Sequence, residues 1–265
     1  MSIDKKVLLE GVKSLSKKIA DFQISEFKGF DRRVIERKKA FSDLVSYVDK
    51  ESEKEIISGL QQLLPDSSFI AEEGSWAGEK TSACWIIDPL DGTTNFIHGL
   101  PVFSISIALT IDDVLSLSVV HEVGRNEMFS AIAGEGAWVN DQKIHVAGEK
   151  NLENTLIATG FPYYEFEGID NYIAILKKFM QSTRGVRRMG SAAVDLAYTA
   201  AGRFDGYFEY NLNPWDVAAG ILLVKEAGGQ VTDFKGGDTS ISGKEVLAGG
   251  DAYEAMKKVI TSNWY

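Results

Sequence analysis

Asp88 and Asp91 stand three residues apart in Trp85-Ile86-Ile87-Asp88-Pro89-Leu90-Asp91-Gly92-Thr93-Thr94-Asn95, where an apolar run breaks into a Gly-Thr-rich turn. Side chains carried on a strand end are rigid, and the proline is expected to end the strand's pairing. Both carboxylates can then aim at one point, with the carbonyl of Leu90 between them. The N–H groups of Gly92 and Thr93 follow at the head of a short helix, where unpaired amides attract an anion. Oxygen ligands for a hard cation beside a phosphate-sized anion site point to magnesium-dependent phosphoryl chemistry. The competing reading is a plain turn, since Asp, Pro and Gly are what turns use.

Two further acidic elements favour chemistry. Phe69-Ile70-Ala71-Glu72-Glu73-Gly74 is a β-prone run ending in adjacent carboxylates. Neighbouring strand side chains face opposite ways, so one is expected to face a metal and the other solvent. Asn213-Pro214-Trp215-Asp216-Val217-Ala218-Ala219-Gly220 reads as a helix start, with Pro214 in the first turn and Val217, Ile221, Leu222 and Val224 in a buried stripe. The helix dipole alone could account for Asp216. Each element has a structural explanation by itself; their joint presence does not.

The elements that must position these groups follow from periodicity. Helices are expected at 5–22 and 46–63, the second closed by Pro65. Strands are expected at Ser68–Ala71, Cys84–Asp88, Phe103–Thr110, Val114–His121, Glu127–Ala133 and Lys143–Val146, with a turn-rich stretch from Gly134 to Asp141. Ser104 and Ser106 give one strand a small-residue face that could lie under a helix. Beyond residue 150, strands are expected at Leu156–Thr159, Phe204–Tyr210, Gly229–Phe234 and Glu245–Ala248. Helices are expected at Asp170–Gln181, Ser191–Ala201, Pro214–Glu226 and Ala252–Ile260. Such an order implies an α+β protein of layered sheets and helices. We expect one unit over 1–265, with approximate halves 1–150 and 151–265 and the site between them.

The chain has 265 residues, 45% of them hydrophobic, and a net charge of −10. That suits a large core and argues against a general nucleic-acid or membrane surface. Arg32, Arg33, Arg37, Lys38 and Lys39, like Arg184, Arg187 and Arg188, read as solvated or interface charges. One cysteine, Cys84, excludes an intramolecular disulfide and suits a small core position in a reducing compartment. With no apolar leader and no run of transmembrane length, a cytoplasmic location is expected. His98, His121 and His145 are too dispersed to suggest zinc. Ser191 lacks the setting of a nucleophile elbow. Tyr163, Tyr164 and Phe166 suit a site rim or an interface.

Taken together, Ala71-Glu72-Glu73-Gly74, Trp85 to Asn95, Gly190-Ser191-Ala192-Ala193, Pro214 to Gly220 and Glu226-Ala227-Gly228-Gly229 closely resemble the inositol monophosphatase family of magnesium-dependent, lithium-sensitive phosphatases. The resemblance runs from about Asp43 to Gly250. Thr159-Gly160-Phe161-Pro162 and the run from Arg187 to Ala201 look most like bacterial members. It implies a layered αβαβα sandwich of the inositol monophosphatase and fructose-1,6-bisphosphatase type, and a homodimer. It also implies two Mg2+ ions and a weaker third. Glu72, Asp88 and the Leu90 carbonyl would hold the first ion, and Asp88, Asp91 and Asp216 the second. Glu72 would reach the third through water. Thr93, backed by Asp49, would orient or deprotonate the attacking water. Ser46 stands where relatives often have Thr, and Lys38 lies near a family lysine. Glu209 would accept from polyol hydroxyls, joined by Asp91 and the Ala192 N–H. Gly74–Ser82 would form a cover near the third ion.

These roles suit the physics of phosphoryl transfer, where charge placement does most of the work and no covalent phosphoenzyme is required. The expected activity is hydrolysis of inositol monophosphates or related polyol phosphates. Alternatives are hydrolysis of 3′-phosphoadenosine 5′-phosphate or fructose 1,6-bisphosphate. A reading of another class is a regulatory binding protein of the transcription or RNA-processing machinery.

Overall fold

The computed structural model describes residues 4–29, 36–37, 44–45, 47–76, 78–162, 166–237, 241 and 244–265. Arg32, Arg33, Lys38, Lys39, Asp43, Ser46, Tyr163 and Tyr164 lie outside the described residues, as does the side chain of Arg37.

In chain order the elements are α1 (Lys5–Gly29), β1 (Glu36–Arg37), β2 (Leu44–Val45), α2 (Tyr47–Leu63), β3 (Ser68–Ala71), β4 (Ala83–Asp91), α3 (Thr93–Ile97), β5 (Ser104–Ile111), β6 (Val114–Glu122), β7 (Glu127–Ile132), β8 (Gly136–Val139) and β9 (Gln142–Ile144). Then come β10 (Leu156–Thr159), α4 (Ile169–Ser182), β11 (Gly185–Arg187), α5 (Ala192–Ala200), β12 (Gly206–Tyr210), α6 (Pro214–Glu226), β13 (Gln230–Thr232), β14 (Glu245–Gly249) and α7 (Tyr253–Trp264). The elements form five layers. Helices α1 and α2 cover one face of a seven-stranded sheet ordered β3-β4-β5-β6-β7-β8-β9. Helices α5 and α6 lie between that sheet and a five-stranded sheet ordered β11-β10-β12-β14-β13, whose outer face carries α4 and α7. This is the layered α+β sandwich.

Position in the layers explains sequence character. In α6 every residue from Val217 to Val224 is buried, so the expected stripe is a helix apolar on all sides, as two covering sheets require. The small face of β5 is used as anticipated. Ser106 donates to the Trp215 carbonyl at 3.3 Å, and the Ser104 and Ser191 hydroxyls lie 3.2 Å apart. Larger side chains there would hold the starts of α5 and α6 away from the sheet. Cys84 is buried in β4 as a free thiol.

Two expectations are corrected. Pro89 does not end its strand: β4 continues to Asp91, and its register against β5 shifts between Asp88 and Asp91. The proline has no N–H to offer the ladder, and a bulge is where a strand tolerates that loss. The stretch from Gly134 to Asp141 contains β8, flanked by two tight turns. Its glycines punctuate the strand but do not replace it. Phe166 is partly buried against the outer-layer core, stacked on Tyr210 with ring centroids 4.9 Å apart.

Candidate active site

The first part of the site is the β4 bulge. The Leu90 N–H donates to Asp88 Oδ1 at 3.0 Å, so the aspartate closes the turn that the proline opens. Behind the bulge, Gln23 of α1 donates to the Pro89 carbonyl at 2.7 Å. Gly92 follows with φ of 98°, and a Cβ there would sit 2.9 Å from the Val102 carbonyl oxygen. Only glycine fits both the backbone and the space. Next, the Thr93 hydroxyl lies 3.0 Å from both Asp49 Oδ1 and the Leu90 carbonyl. It has one proton for two acceptors. Committing the proton to Asp49 leaves the Leu90 carbonyl available elsewhere.

The second part comes from the helix starts of the middle layer. Asp91 Oδ2 accepts from Ser191 Oγ at 2.6 Å and from the Ala193 N–H at 2.7 Å. The Ala192 N–H also acts on the Asp91 carboxylate, helping to hold its pKa down. Asp216 Oδ2 accepts from the Asn213 N–H at 2.7 Å, which closes the first turn of α6. Asp216 therefore meets the helix-start reading and faces the site as well. Glu72 does not sit on β3 but in the turn after it, with its N–H donating to the Ile87 carbonyl at 3.3 Å. The alternation argument about Glu72 and Glu73 therefore does not apply. One oxygen on each of Asp88, Asp91 and Asp216 is fixed by a protein donor, which sets the direction of the other.

The electrostatics show four acids competing for one region. Burial, then Asp216, Asp49 and Glu73, push the Glu72 carboxyl up to about 8, against an opposing hydrogen bond with Asp88. Asp88 is raised well above its ordinary range by burial and by Glu72, Asp91 and Asp216. Burial lifts Asp91 to about 6, held back by Ser191 and the amides of Ala193 and Ala192. Burial and then Asp91 lift Asp216 to about 7. Oxygen-only donors that repel one another suit a hard divalent cation. Among the described residues, no three His, Cys, Asp or Glu side chains form a ready-made metal cage. The acids repel one another without a cation, so Asp88, Asp91 and Asp216 would have to close onto a bound ion, with waters and substrate oxygens completing its shell.

Beside the acids lies a cavity of about 160 Å³ bordered by Asp91, Arg188, Ala192, Asp195, Glu209 and Asp216. Glu209 Oε2 accepts from the Tyr207 hydroxyl at 2.6 Å, and burial raises the carboxyl to about 7. Gly160 makes room for it, since a Cβ there would overlap the Glu209 carboxylate. The structure thus brings Glu72, Asp88, Leu90, Asp91, Gly92, Thr93, Asp49, Asp216, Ala192 and Glu209 into one region.

Several residues here were not read from the sequence. Arg188 borders the cavity and is not simply a solvated charge. Ser191, rejected as a nucleophile, orients Asp91 and caps α5. Asp195 is buried in the cavity wall, and burial, Glu209 and Asp91 hold its carboxyl well above the usual range. The signal for Asp195 was an acid inside an otherwise apolar and small-residue helix, Ala192–Ala200.

Comparison with known proteins gives a consistent result. The inositol monophosphatase family model matches residues 4–264. A Neisseria meningitidis serogroup B protein named putative Nus factor SuhB is 45% identical over 227 residues, covering 85% of this chain and 87% of its own. An inositol-1-monophosphatase of Mesorhizobium japonicum is 40% identical over 230 residues, covering 84% and 86%. The crystal structure of the extragenic suppressor protein suhB from Bartonella henselae superposes with a TM-score of 0.90 at 36% identity, covering 96% of this chain and 98% of that one.

Proposed function

The chain belongs to the inositol monophosphatase family, and on that premise we propose that it is a Mg2+-dependent phosphomonoesterase acting on inositol monophosphates or related polyol phosphates. The observation that carries this reading is the group of four acids, Glu72, Asp88, Asp91 and Asp216, each raised by burial and three of them by one another. Glu72, Asp88 and the Leu90 carbonyl would hold one Mg2+, and Asp88, Asp91 and Asp216 a second, with a weaker third near Glu72. Bound there, Mg2+ supplies charge to the phosphate oxygens and lowers the pKa of water.

The chain's own groups do the rest. Thr93, with its proton given to Asp49, accepts a hydrogen bond from the attacking water and orients it. The Gly92 and Thr93 amides face the ester phosphate. Glu209, braced by Tyr207, accepts from a substrate hydroxyl. Asp91, fixed by Ser191, approaches the same end of the substrate. Lithium inhibition and a homodimeric, cytoplasmic enzyme belong to the same reading. Among the described residues, no helix is long and apolar enough to cross a membrane.

Glu209 decides the substrate class, because an acid there suits hydroxyls and repels a second phosphate. Phosphate release from inositol 1-phosphate, fructose 1,6-bisphosphate and 3′-phosphoadenosine 5′-phosphate checks this. We expect kcat/KM for inositol 1-phosphate to exceed both others at least ~10-fold, with Glu209→Gln shrinking the ratio, as expected when a hydroxyl partner is lost. A preference for either bisphosphate overturns the polyol reading and leaves the metal reading standing.

A second reading is favoured by the name Nus factor among the similar proteins. In that reading the chain also binds a cytoplasmic partner of the transcription machinery. A cellular phenotype that survives Asp88→Asn while phosphatase activity is lost would support it.

A further inference from the structure

Helix α2 carries two acids one turn apart, Asp49 and Glu53, only 1% and 0% exposed. Carboxylates buried on a helix face are costly unless fully partnered. Asp49 has its place in the site through Thr93. Glu53 points along the same face of the helix, yet its hydrogen-bond partners are of a different kind. Its Oε2 accepts from the Glu73 N–H at 2.7 Å and its Oε1 from the Ser75 N–H at 2.8 Å. The first donor lies in the turn that starts at Glu72 and the second in the segment that leaves it. That turn is pinned on its other side by the Glu72 N–H on Ile87 and by the Gly74 N–H on the Ala71 carbonyl at 3.2 Å.

The choice of residue type is informative. Two backbone donors converge on one side chain, and only a carboxylate offers two acceptors; an amide would turn an NH2 toward one of the N–H groups. Glu72 is the one acid of the cluster carried by a turn instead of by a strand or a helix start. It therefore has the most conformational freedom to lose, and its direction depends on the backbone that Glu53 grips.

We propose that Glu53 is a positioning residue that sets the divalent-cation affinity of Glu72 by holding the 72–75 segment. This inference rests on the metal-dependent reading given above. Partners that orient a ligand in this way change metal affinity roughly 10–100-fold when removed.

The test is direct cation binding by the whole purified chain, with Mn2+ followed by electron paramagnetic resonance and Mg2+ by calorimetry, alongside thermal melts. Glu53→Gln should weaken Mn2+ binding about tenfold. Because that variant also removes a charge, Ser75→Pro gives a second arm. It deletes one of the two donors while leaving α2 and the Glu53 charge in place, and it should also weaken binding. Lower Tm with wild-type Mn2+ affinity in both variants would mean that Glu53 only packs α2, and would overturn the proposal. Weakening in Glu53→Gln alone would assign the effect to charge and also overturn it. A wild-type chain that takes up no Mn2+ overturns the metal reading, and this inference with it.

Discussion

Asp88→Asn is expected to lower kcat/KM for inositol 1-phosphate by about 10³, roughly 4 kcal/mol at 1.36 kcal/mol per decade. In the same variant, the metal-free protein is expected to melt higher than wild type. Both effects have one cause. Asp88 is buried among Glu72, Asp91 and Asp216, and its carboxyl is held well above its ordinary range. Asn retains the Oδ1 acceptor for the Leu90 N–H while removing a charge that the fold must otherwise bury or protonate. The site thus gives up stability for function. Phosphate release and thermal melts in EDTA check the two signs. A variant that loses activity and also melts lower would make Asp88 a structural residue.

The second large effect is the pH dependence of stability without metal. Unfolded carboxyl groups titrate near 4. In the fold Asp91 is raised to about 6, Asp216 and Glu209 to about 7 and Glu72 to about 8. An acid raised on folding binds its proton more tightly in the native state. Its contribution is complete below about pH 4 and is lost as pH climbs through the folded values. In EDTA, Tm should therefore fall between pH 5.5 and 8.5, by on the order of 10 °C. That corresponds to roughly 3 kcal/mol at ~2–4 °C per kcal/mol for a chain of this size. Glu127, lowered by Arg203, acts in the opposite sense below about pH 4.5, and His121, lowered by burial, does so below about pH 6.5, so the fall is steepest above that value. Mg2+ should remove most of the slope, because a bound cation takes over the neutralising role of the protons. Flat Tm across this range in EDTA would contradict the raised carboxyls of the four acids.

What the sequence revealed and what it hid divide along a physical line. Asp88, Asp91 and Asp216 were legible because each sits at a junction with a local signature: a strand running into Pro-Leu-Asp-Gly, and an Asn-Pro helix start. The layered α+β fold was legible because apolar periodicity switches cleanly between strands and helices. Gln23 and Glu53 left no such mark. One reaches a carbonyl 66 residues away and the other an amide 20 residues away, and a single sequence carries no trace of those pairings. The use of Ser191, to orient an acid 100 residues distant, leaves no local signature either. Three-residue β11 carries too few residues to show a period, and β8 was hidden by the glycines around it. Pro89 was read by its usual effect on a strand, whereas the bulge lets the strand pass through it.

The measurement that tests the central claim most directly is phosphate release from inositol 1-phosphate by the purified chain, in Mg2+, in EDTA, and in EDTA with Mg2+ restored. The four-acid centre predicts release in Mg2+, its loss in EDTA and its return when Mg2+ is added back. Undiminished release in EDTA, or no release in Mg2+, would contradict it.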